Sequence, residues 1–171
     1  METHIVIMAG GIGSRFWPMS TPECPKQFID VTGCGKSLIQ LTVERFQGLC
    51  IPDNIWIVTS DKYKETVRKQ LPSVPPHHIL TEPVARNTAP CITYACWKIK
   101  KHHPHANIVV TPADALVINT DEFRRAIAKA LLMTDAKQGH CNHRYQTLPS
   151  GNGIRIYSRR RRGGSGYKES G

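Results

Sequence analysis

Residues 5–18 read Ile5-Val6-Ile7-Met8-Ala9-Gly10-Gly11-Ile12-Gly13-Ser14-Arg15-Phe16-Trp17-Pro18, and Pro25-Lys26-Gln27-Phe28 follows shortly after them. The stretch opens with a short, continuous, mostly β-branched run, which is typical of a strand buried on both faces of a parallel sheet. The glycines therefore fall at the carboxyl end of a strand, where open α/β sheets bind their ligands. A glycine backbone can wrap closely around an anion, and Arg15 and Lys26 add positive charge. The stretch predicts a site for the phosphates of a nucleotide.

Two common glycine motifs do not fit these residues. The dinucleotide fingerprint G-x-G-x-x-G needs a third glycine where Phe16 stands. A phosphate loop of the form G-x-x-x-x-G-K-[ST] ending at Gly35-Lys36-Ser37 needs a glycine where Asp30 stands. The remaining alternative is that residues 10–13 form an ordinary turn between a strand and a helix.

Apolar runs alternate with amphipathic segments along the first 137 residues. This pattern predicts strands at 4–8, 55–59, 78–81 and 107–111, and helices at 37–49, 61–71, 88–101 and 121–137. Strands that alternate with helices imply parallel pairing through right-handed crossovers. The predicted fold class is therefore α/β, with a mostly parallel sheet flanked by helices.

Further motifs extend the glycine-rich stretch. It resembles the sugar-nucleotide pyrophosphorylases, whose signature is a G-G-x-G-x-R loop with a downstream P-K. The guanylyl branch of that family, the mannose-1-phosphate guanylyltransferases, carries four motifs in the order found here, at Arg15 to Ser20, Pro25 to Phe28, Gly35 to Gln40 and Glu82 to Pro90. The resemblance covers residues 1–137. It implies a Rossmann-like nucleotide-diphospho-sugar transferase fold, of which this chain is expected to hold a truncated, nucleotide-binding half.

The resemblance also implies a reaction and the residues for it. The substrates would be GTP and mannose 1-phosphate, and in-line nucleotidyl transfer would give GDP-mannose and diphosphate. Arg15 and Lys26 would be catalytic. The substrate-binding residues would be Gly10, Gly11, Gly13, Ser14, Glu82, Arg86, Asn87 and Thr88. Asn87 is also a good N-cap for the helix that follows it, and a capped helix N-terminus is itself an anion site.

Asp114 is the candidate metal ligand. It stands in Thr111-Pro112-Ala113-Asp114-Ala115, directly after an apolar strand, where the family reads P-[SA]-D-[HA] and binds magnesium. A carboxylate at a strand's end suits Mg²⁺, which takes few protein ligands and fills its shell with water and phosphate. The alternative is a turn aspartate that caps its own backbone.

Residues 138–171 differ from the rest of the chain. Seven of them are Lys or Arg and one is acidic, which gives this segment +6 of the chain's net charge of +10. With few large aliphatic residues we expect it to be a disordered basic tail. Back-translated and read one nucleotide out of register, residues 140–158 can yield a string similar to the family's P-x-x-P-E-T-G-Y-G-Y-I segment. We therefore expect a frameshift product and a sheet that ends, edge exposed, at its fourth strand.

Three functions stay open at this stage. They are an active guanylyltransferase, a non-catalytic GTP-binding fragment, and a basic nucleic-acid-binding protein that uses Arg159 to Arg162. We expect no nucleic-acid partner, because the frameshift accounts for the arginine run. No apolar run is long enough to cross a membrane, so we expect no membrane partner. Six cysteines without C-x-x-C spacing, and no secretory segment, predict reduced, buried thiols in a cytoplasmic protein. The sequence leaves the oligomeric state open.

Overall fold

The computed structural model describes residues 2–11, 16–82, 88–137, 140–143 and 154–157, with side chains as far as residue 134. This part of the chain forms four α-helices and six β-strands, in the order β1 (Thr3–Met8), α1 (Leu38–Glu44), β2 (Ile55–Ser60), α2 (Lys64–Gln70), β3 (Ile79–Glu82), α3 (Thr88–His102), β4 (Asn107–Pro112), α4 (Thr120–Lys137), β5 (His140–His143) and β6 (Ile154–Tyr157). The α/β class predicted from the sequence is confirmed.

The six strands form one sheet in the order β3-β2-β1-β4-β6-β5. The first four of these pair in parallel, and the helices between them provide the crossovers. In this register Met8 lies opposite Val58 on one side and Pro112 on the other. Because β1 lies between β2 and β4, the chain that leaves β1 is at the centre of the sheet's carboxyl edge.

Alternate residues of β1 face two separate apolar layers. Ile5 and Ile7 belong to a core that includes residues of α1, α2 and α4, whereas Val6 packs with residues of α3. All three are fully buried. A strand covered on both faces needs apolar residues at consecutive positions, which explains the uninterrupted run in the sequence.

The helix α1 is shorter than the 37–49 that its sequence predicts. It ends at Glu44, and the residues after it form tighter turns, in which the amide of Phe46 donates to Val43 and that of Gln47 to Glu44. Phe46 is fully buried and meets Phe123 edge to face, with ring centroids 5.2 Å apart. Burying a phenylalanine stabilises a fold by about 1.5–3 kcal/mol, which favours the turn that places Phe46 in the core.

Two strands lie in the segment expected to be disordered. β6 pairs antiparallel with β4, and β5 pairs antiparallel with β6. The expectation of disorder is therefore wrong for these two segments, and β6 covers the edge of β4 that was expected to be exposed. The physical reason is that Ile154-Arg155-Ile156-Tyr157 has the β-branched and aromatic residues of a strand, and the edge of β4 offers it backbone partners. The division at residue 137 and the frameshift stay predictions.

The cysteines are less buried than their sequence context suggests. Cys91 is buried, but Cys24 and Cys34 are exposed. Both exposed residues lie in the turns that connect β1 with α1, where few apolar neighbours are available. None of the helices in the described part of the chain combines the length and apolar character that crossing a membrane requires.

Candidate active site

The carboxyl edge of the parallel strands brings two of the predicted site segments together. The amide of Ala9 donates to the carbonyl oxygen of Val58 over 2.7 Å, and the amide of Ala113 donates to that of Met8 over 3.0 Å. The pairing of β1 with both neighbours thus continues one residue beyond each strand. Gly10 and Asp114 each come one residue later, on adjacent strands of the same edge.

Gly10 and Gly11 leave open space in front of them. A Cβ atom built on either glycine would meet no atom of the described residues within 4 Å, and neither has the positive φ that favours glycine. The fold itself therefore gives no steric reason for glycine at these positions, and the backbone is accessible to a bound group. Gly13, Ser14 and Arg15 of the same loop lie outside the described residues, and their predicted roles stay predictions.

Lys26 begins a short 3-10 turn, Lys26–Phe28, that lies against this loop. Its backbone amide donates to the hydroxyl of the buried Ser20 over 3.1 Å, and the Ser20 amide donates to the carbonyl of Phe16 over 3.1 Å. The ammonium of Lys26 lies 4.8 Å from the centre of the Phe16 ring, within the range of a cation–π contact. Lys26 is half-buried and is held beside the residue that directly follows Arg15.

Gln27 joins the turn Lys26–Phe28, here called the lysine turn, to the loop that contains Gly10 and Gly11, here called the glycine loop. Its Nε2 donates to the carbonyl oxygen of Ala9 over 3.0 Å and to that of Gly11 over 2.9 Å. The hydroxyl of Thr59, at the end of β2, also donates to the carbonyl of Ala9 over 3.0 Å. Gln27 and Thr59 are both buried. Side chains from two directions therefore fix the start of the loop.

Asp114 follows β4 and is half-buried. The carbonyl oxygens of its two neighbours are both hydrogen-bonded to α1 or to the residue that caps it, Ala113 to the Thr42 hydroxyl at 3.3 Å and Ala115 to Arg45 Nη2 at 2.5 Å. The Asp114 carboxylate itself makes no hydrogen bond or ion pair with a described residue. An accessible carboxylate of this kind, next to a loop that can receive phosphates, fits a magnesium ligand.

Glu82 lies two strands away from β1 on the carboxyl edge of the sheet. It is the last residue of β3, and β2 separates it from β1. Burial raises the pKa of its carboxyl above the ordinary value of 4.5. Thr88 is exposed at the first position of α3, while Arg86 and Asn87 lie outside the described residues. The structure therefore brings Gly10, Gly11, Lys26 and Asp114 to neighbouring strand ends and places Glu82 at the far end of the same edge.

The comparison with protein families decides the class. The sequence pattern of the nucleotidyl transferase family matches residues 4–156. The chain belongs to the nucleotidyl transferase family. A putative mannose-1-phosphate guanylyltransferase of Vibrio cholerae is 35% identical over 133 residues, 77% of this chain and 28% of that protein. A mannose-1-phosphate guanylyltransferase of Klebsiella pneumoniae is 37% identical over 137 residues, 79% of this chain and 28% of that protein.

Solved structures agree with this nucleotidyl transferase assignment at the level of the fold. A mannose-1-phosphate geranyltransferase from Thermus thermophilus superposes with a TM-score of 0.72 at 23% identity, over 94% of this chain and 51% of that one. A putative glucose-1-phosphate thymidylyltransferase from Bacillus anthracis gives a TM-score of 0.65 at 17% identity, over 91% of this chain and 71% of that one. The chain thus spans about a quarter of the length of the curated relatives and half or more of these structures.

Four residues of this nucleotidyl transferase site were not singled out from the sequence. Gln27 stands inside the P-K-Q-F motif, so its position offered a signal, although nothing local shows which carbonyls it reaches. Ser20 likewise stands within the first motif. Thr42 and Arg45 gave no such signal, because their partners lie about 70 residues farther along the chain.

Proposed function

We propose that this nucleotidyl transferase acts in GDP-mannose synthesis and that the described fold carries the nucleotide-binding part of the reaction. A phosphate oxygen of mannose 1-phosphate attacks the α-phosphorus of GTP, the bond from that phosphorus to the bridging oxygen breaks, and diphosphate leaves in line. The observation that carries the proposal is the convergence of the glycine loop, Lys26 and Asp114 at adjacent strand ends. Two curated relatives carry the name mannose-1-phosphate guanylyltransferase, one of them as putative, which supports the choice of base and sugar.

Each residue of the chain would act by position and charge rather than by forming a covalent intermediate. The backbone amides of Gly10, Gly11, Gly13 and Ser14, with the Arg15 guanidinium, would bind the β- and γ-phosphates. Lys26 would face the charge that develops at the α-phosphate. Asp114 would hold the metal, and a bound Mg²⁺ would supply charge neutralisation of the phosphate oxygens.

The remaining site residues are proposed to contact the nucleotide. Glu82, Arg86, Asn87 and Thr88 lie at the start of α3, or lead to it, and a helix N-terminus favours negative charge. The proposal needs no nucleic-acid partner and no membrane partner. A cytoplasmic location also stays a prediction.

A second candidate is GTP binding without turnover. The observation that favours it is the length of the match, since the chain spans only 28% of these relatives. A nucleic-acid role for the basic tail has no such observation in its favour.

The deciding experiment is an assay of GDP-mannose formation from GTP and mannose 1-phosphate with Mg²⁺, run beside calorimetric titration of GTP. Formation of GDP-mannose by the 171-residue chain supports the first proposal. Saturable GTP binding without product supports the second. Absence of both, with a folded protein by circular dichroism, would overturn both. Titration of ATP in parallel tests the preference for guanine.

A further inference from the structure

The two peptide carbonyls on either side of Asp114 are bound by one continuous piece of chain. Thr42, in α1, shares its single hydroxyl proton between the Leu38 carbonyl at 2.7 Å and the Ala113 carbonyl at 3.3 Å. Arg45, directly after α1, uses Nη2 to reach the Ala115 carbonyl at 2.5 Å. The direction of the Asp114 side chain depends on the backbone between these two carbonyls. The contacts therefore restrict where its carboxylate can point.

The two side chains also hold each other. Arg45 Nη2 donates to the hydroxyl oxygen of Thr42 over 2.7 Å, which leaves the hydroxyl proton for the two carbonyls. Thr42 is fully buried and Arg45 is 4% exposed. Removing an arginine charge from water costs several kcal/mol. A buried guanidinium that binds backbone carbonyls therefore indicates that the position of those carbonyls matters.

A second arginine fixes the end of α1 itself. Arg124, in α4, donates through Nε to the carbonyl of Arg45 at 3.1 Å and through Nη2 to that of Glu44 at 3.0 Å. These are carbonyls at a helix end, which otherwise lack partners. Arg124 therefore fixes the backbone of Arg45 through its carbonyl. A fixed backbone restricts the positions from which the Arg45 guanidinium can bind the Ala115 carbonyl.

We propose that Thr42 and Arg45 are positioning residues that orient Asp114 toward a divalent metal bound with the nucleotide. The inference rests on the proposed function, because it gives Asp114 the metal. Neither side chain has to touch the metal or the nucleotide. Residues that orient a ligand in this way typically change metal affinity by about 10–100-fold when they are replaced.

The test measures metal affinity rather than turnover. Binding of Mn²⁺, used as a probe for Mg²⁺, is followed by electron paramagnetic resonance at saturating GTP, and GTP affinity is measured separately in the presence of a chelator. Thr42→Val keeps the shape of the side chain and removes the hydroxyl, whereas Thr42→Ser keeps the hydroxyl. Arg45→Lys keeps the charge and removes the planar guanidinium.

The matched control is Thr134→Val. Thr134 is a buried threonine whose hydroxyl donates to the Leu131 carbonyl within α4, near the end of that helix. The decrease in the free energy of unfolding of Thr134→Val estimates how much the loss of a buried threonine hydroxyl destabilises the fold away from the site. Thermal unfolding of each variant shows whether it remains folded.

We expect Thr42→Val and Arg45→Lys to weaken Mn²⁺ binding by about 10-fold or more, with metal-free GTP affinity unchanged and Thr42→Ser close to the original protein. Unchanged Mn²⁺ affinity in folded Thr42→Val would overturn the positioning role while leaving the proposed function intact. If the original protein binds no Mn²⁺ with GTP, the proposed function fails, and this inference fails with it. If Arg45→Lys does not fold, the comparison of Thr42→Val with Thr42→Ser tests the positioning role instead.

Discussion

The side-chain amide of Gln27 donates to the carbonyl oxygen of Gly11 over 2.9 Å, which ties the residue after Lys26 to the loop that would receive phosphates. The same nitrogen donates to the Ala9 carbonyl over 3.0 Å. One buried side chain therefore sets the spacing between the lysine turn and the glycine loop.

Replacing Gln27 by methionine should loosen that spacing. The variant fills a similar volume but leaves the Gly11 carbonyl without its donor, so we expect the free energy of unfolding to fall by about 1–3 kcal/mol. GTP affinity should fall as well, because the amides of the loop are less well ordered. Urea unfolding and calorimetry measure the two effects. Gln47→Met, at an exposed position, is the control, and equal losses in both variants would argue against the role given to Gln27.

Lys26→Ala should remove a charge that acts mainly in the transition state. We expect GDP-mannose formation to slow by at least about 100-fold, which corresponds to roughly 2.7 kcal/mol or more of transition-state stabilisation. Lys101→Ala serves as the control, since Lys101 is exposed in the last turn of α3, at the opposite edge of the sheet. If the chain binds GTP without turnover, the GTP affinities of the two variants are compared in place of their reaction rates. Near-normal values in Lys26→Ala would contradict the assignment.

Asp114→Asn should lower the affinity for the metal. An amide oxygen carries no charge, so Mg²⁺ or Mn²⁺ loses a carboxylate ligand, and we expect GTP-dependent Mn²⁺ binding to weaken by more than about 10-fold. Asp53→Asn, in the exposed turn before β2, is the control at the opposite edge. A folded Asp114→Asn protein that binds Mn²⁺ as tightly as the control would exclude Asp114 as the ligand.

A histidine at the opposite edge should make the fold sensitive to acid. His78 stacks on Trp56 with ring centroids 3.7 Å apart, and burial, with the nearby charges of His77 and His4, lowers its pKa from 6.5 to about 4. Between these two values the unfolded chain binds a proton that the folded chain does not. Stability is therefore fully present above about pH 6.5 and is lost as the pH falls toward 4.

The measurement for His78 is the thermal unfolding midpoint at about pH 7 and about pH 5, on either side of the ordinary histidine pKa. We expect the midpoint to be lower at the acidic pH, and His78→Gln to reduce the difference because its side chain does not titrate. His105→Gln, at an exposed position, should leave the difference unchanged. Identical pH dependence in His78→Gln and the original protein would show that other groups cause the effect.

Much of the fold could be predicted from the sequence because its signals are local. The β-branched run 5–8 and the alternation of later segments predicted the four parallel strands and their helices within a few residues. The end of α1 was predicted wrongly because Phe46 packs against a residue of α4, and no local pattern contains that contact. The strand at residues 154–157 was missed for the same reason, since its partner β4 is distant in sequence.

The candidate site was predicted in part, for a related reason. Gly10, Gly11, Lys26 and Asp114 carry motifs that can be recognised from their own neighbours. Two of the residues that hold the site, Thr42 and Arg45, stand in no such motif. Arg45 and Ala115 meet only because α1 and the end of β4 pack together, and a sequence contains no direct record of that distance.

The register of two strands couples the halves of this site. The glycine loop and Lys26 belong to one continuous stretch, but Asp114 arrives on a strand that comes much later in the chain. Their relative position along the sheet is set by the pairing in which Met8 lies opposite Pro112. A slip of one residue there would shift Asp114 by about 3.3 Å along the strand and reverse the faces of β4. A substitution deep in β4 that altered this register would therefore move Asp114 away from the glycine loop without touching either of them.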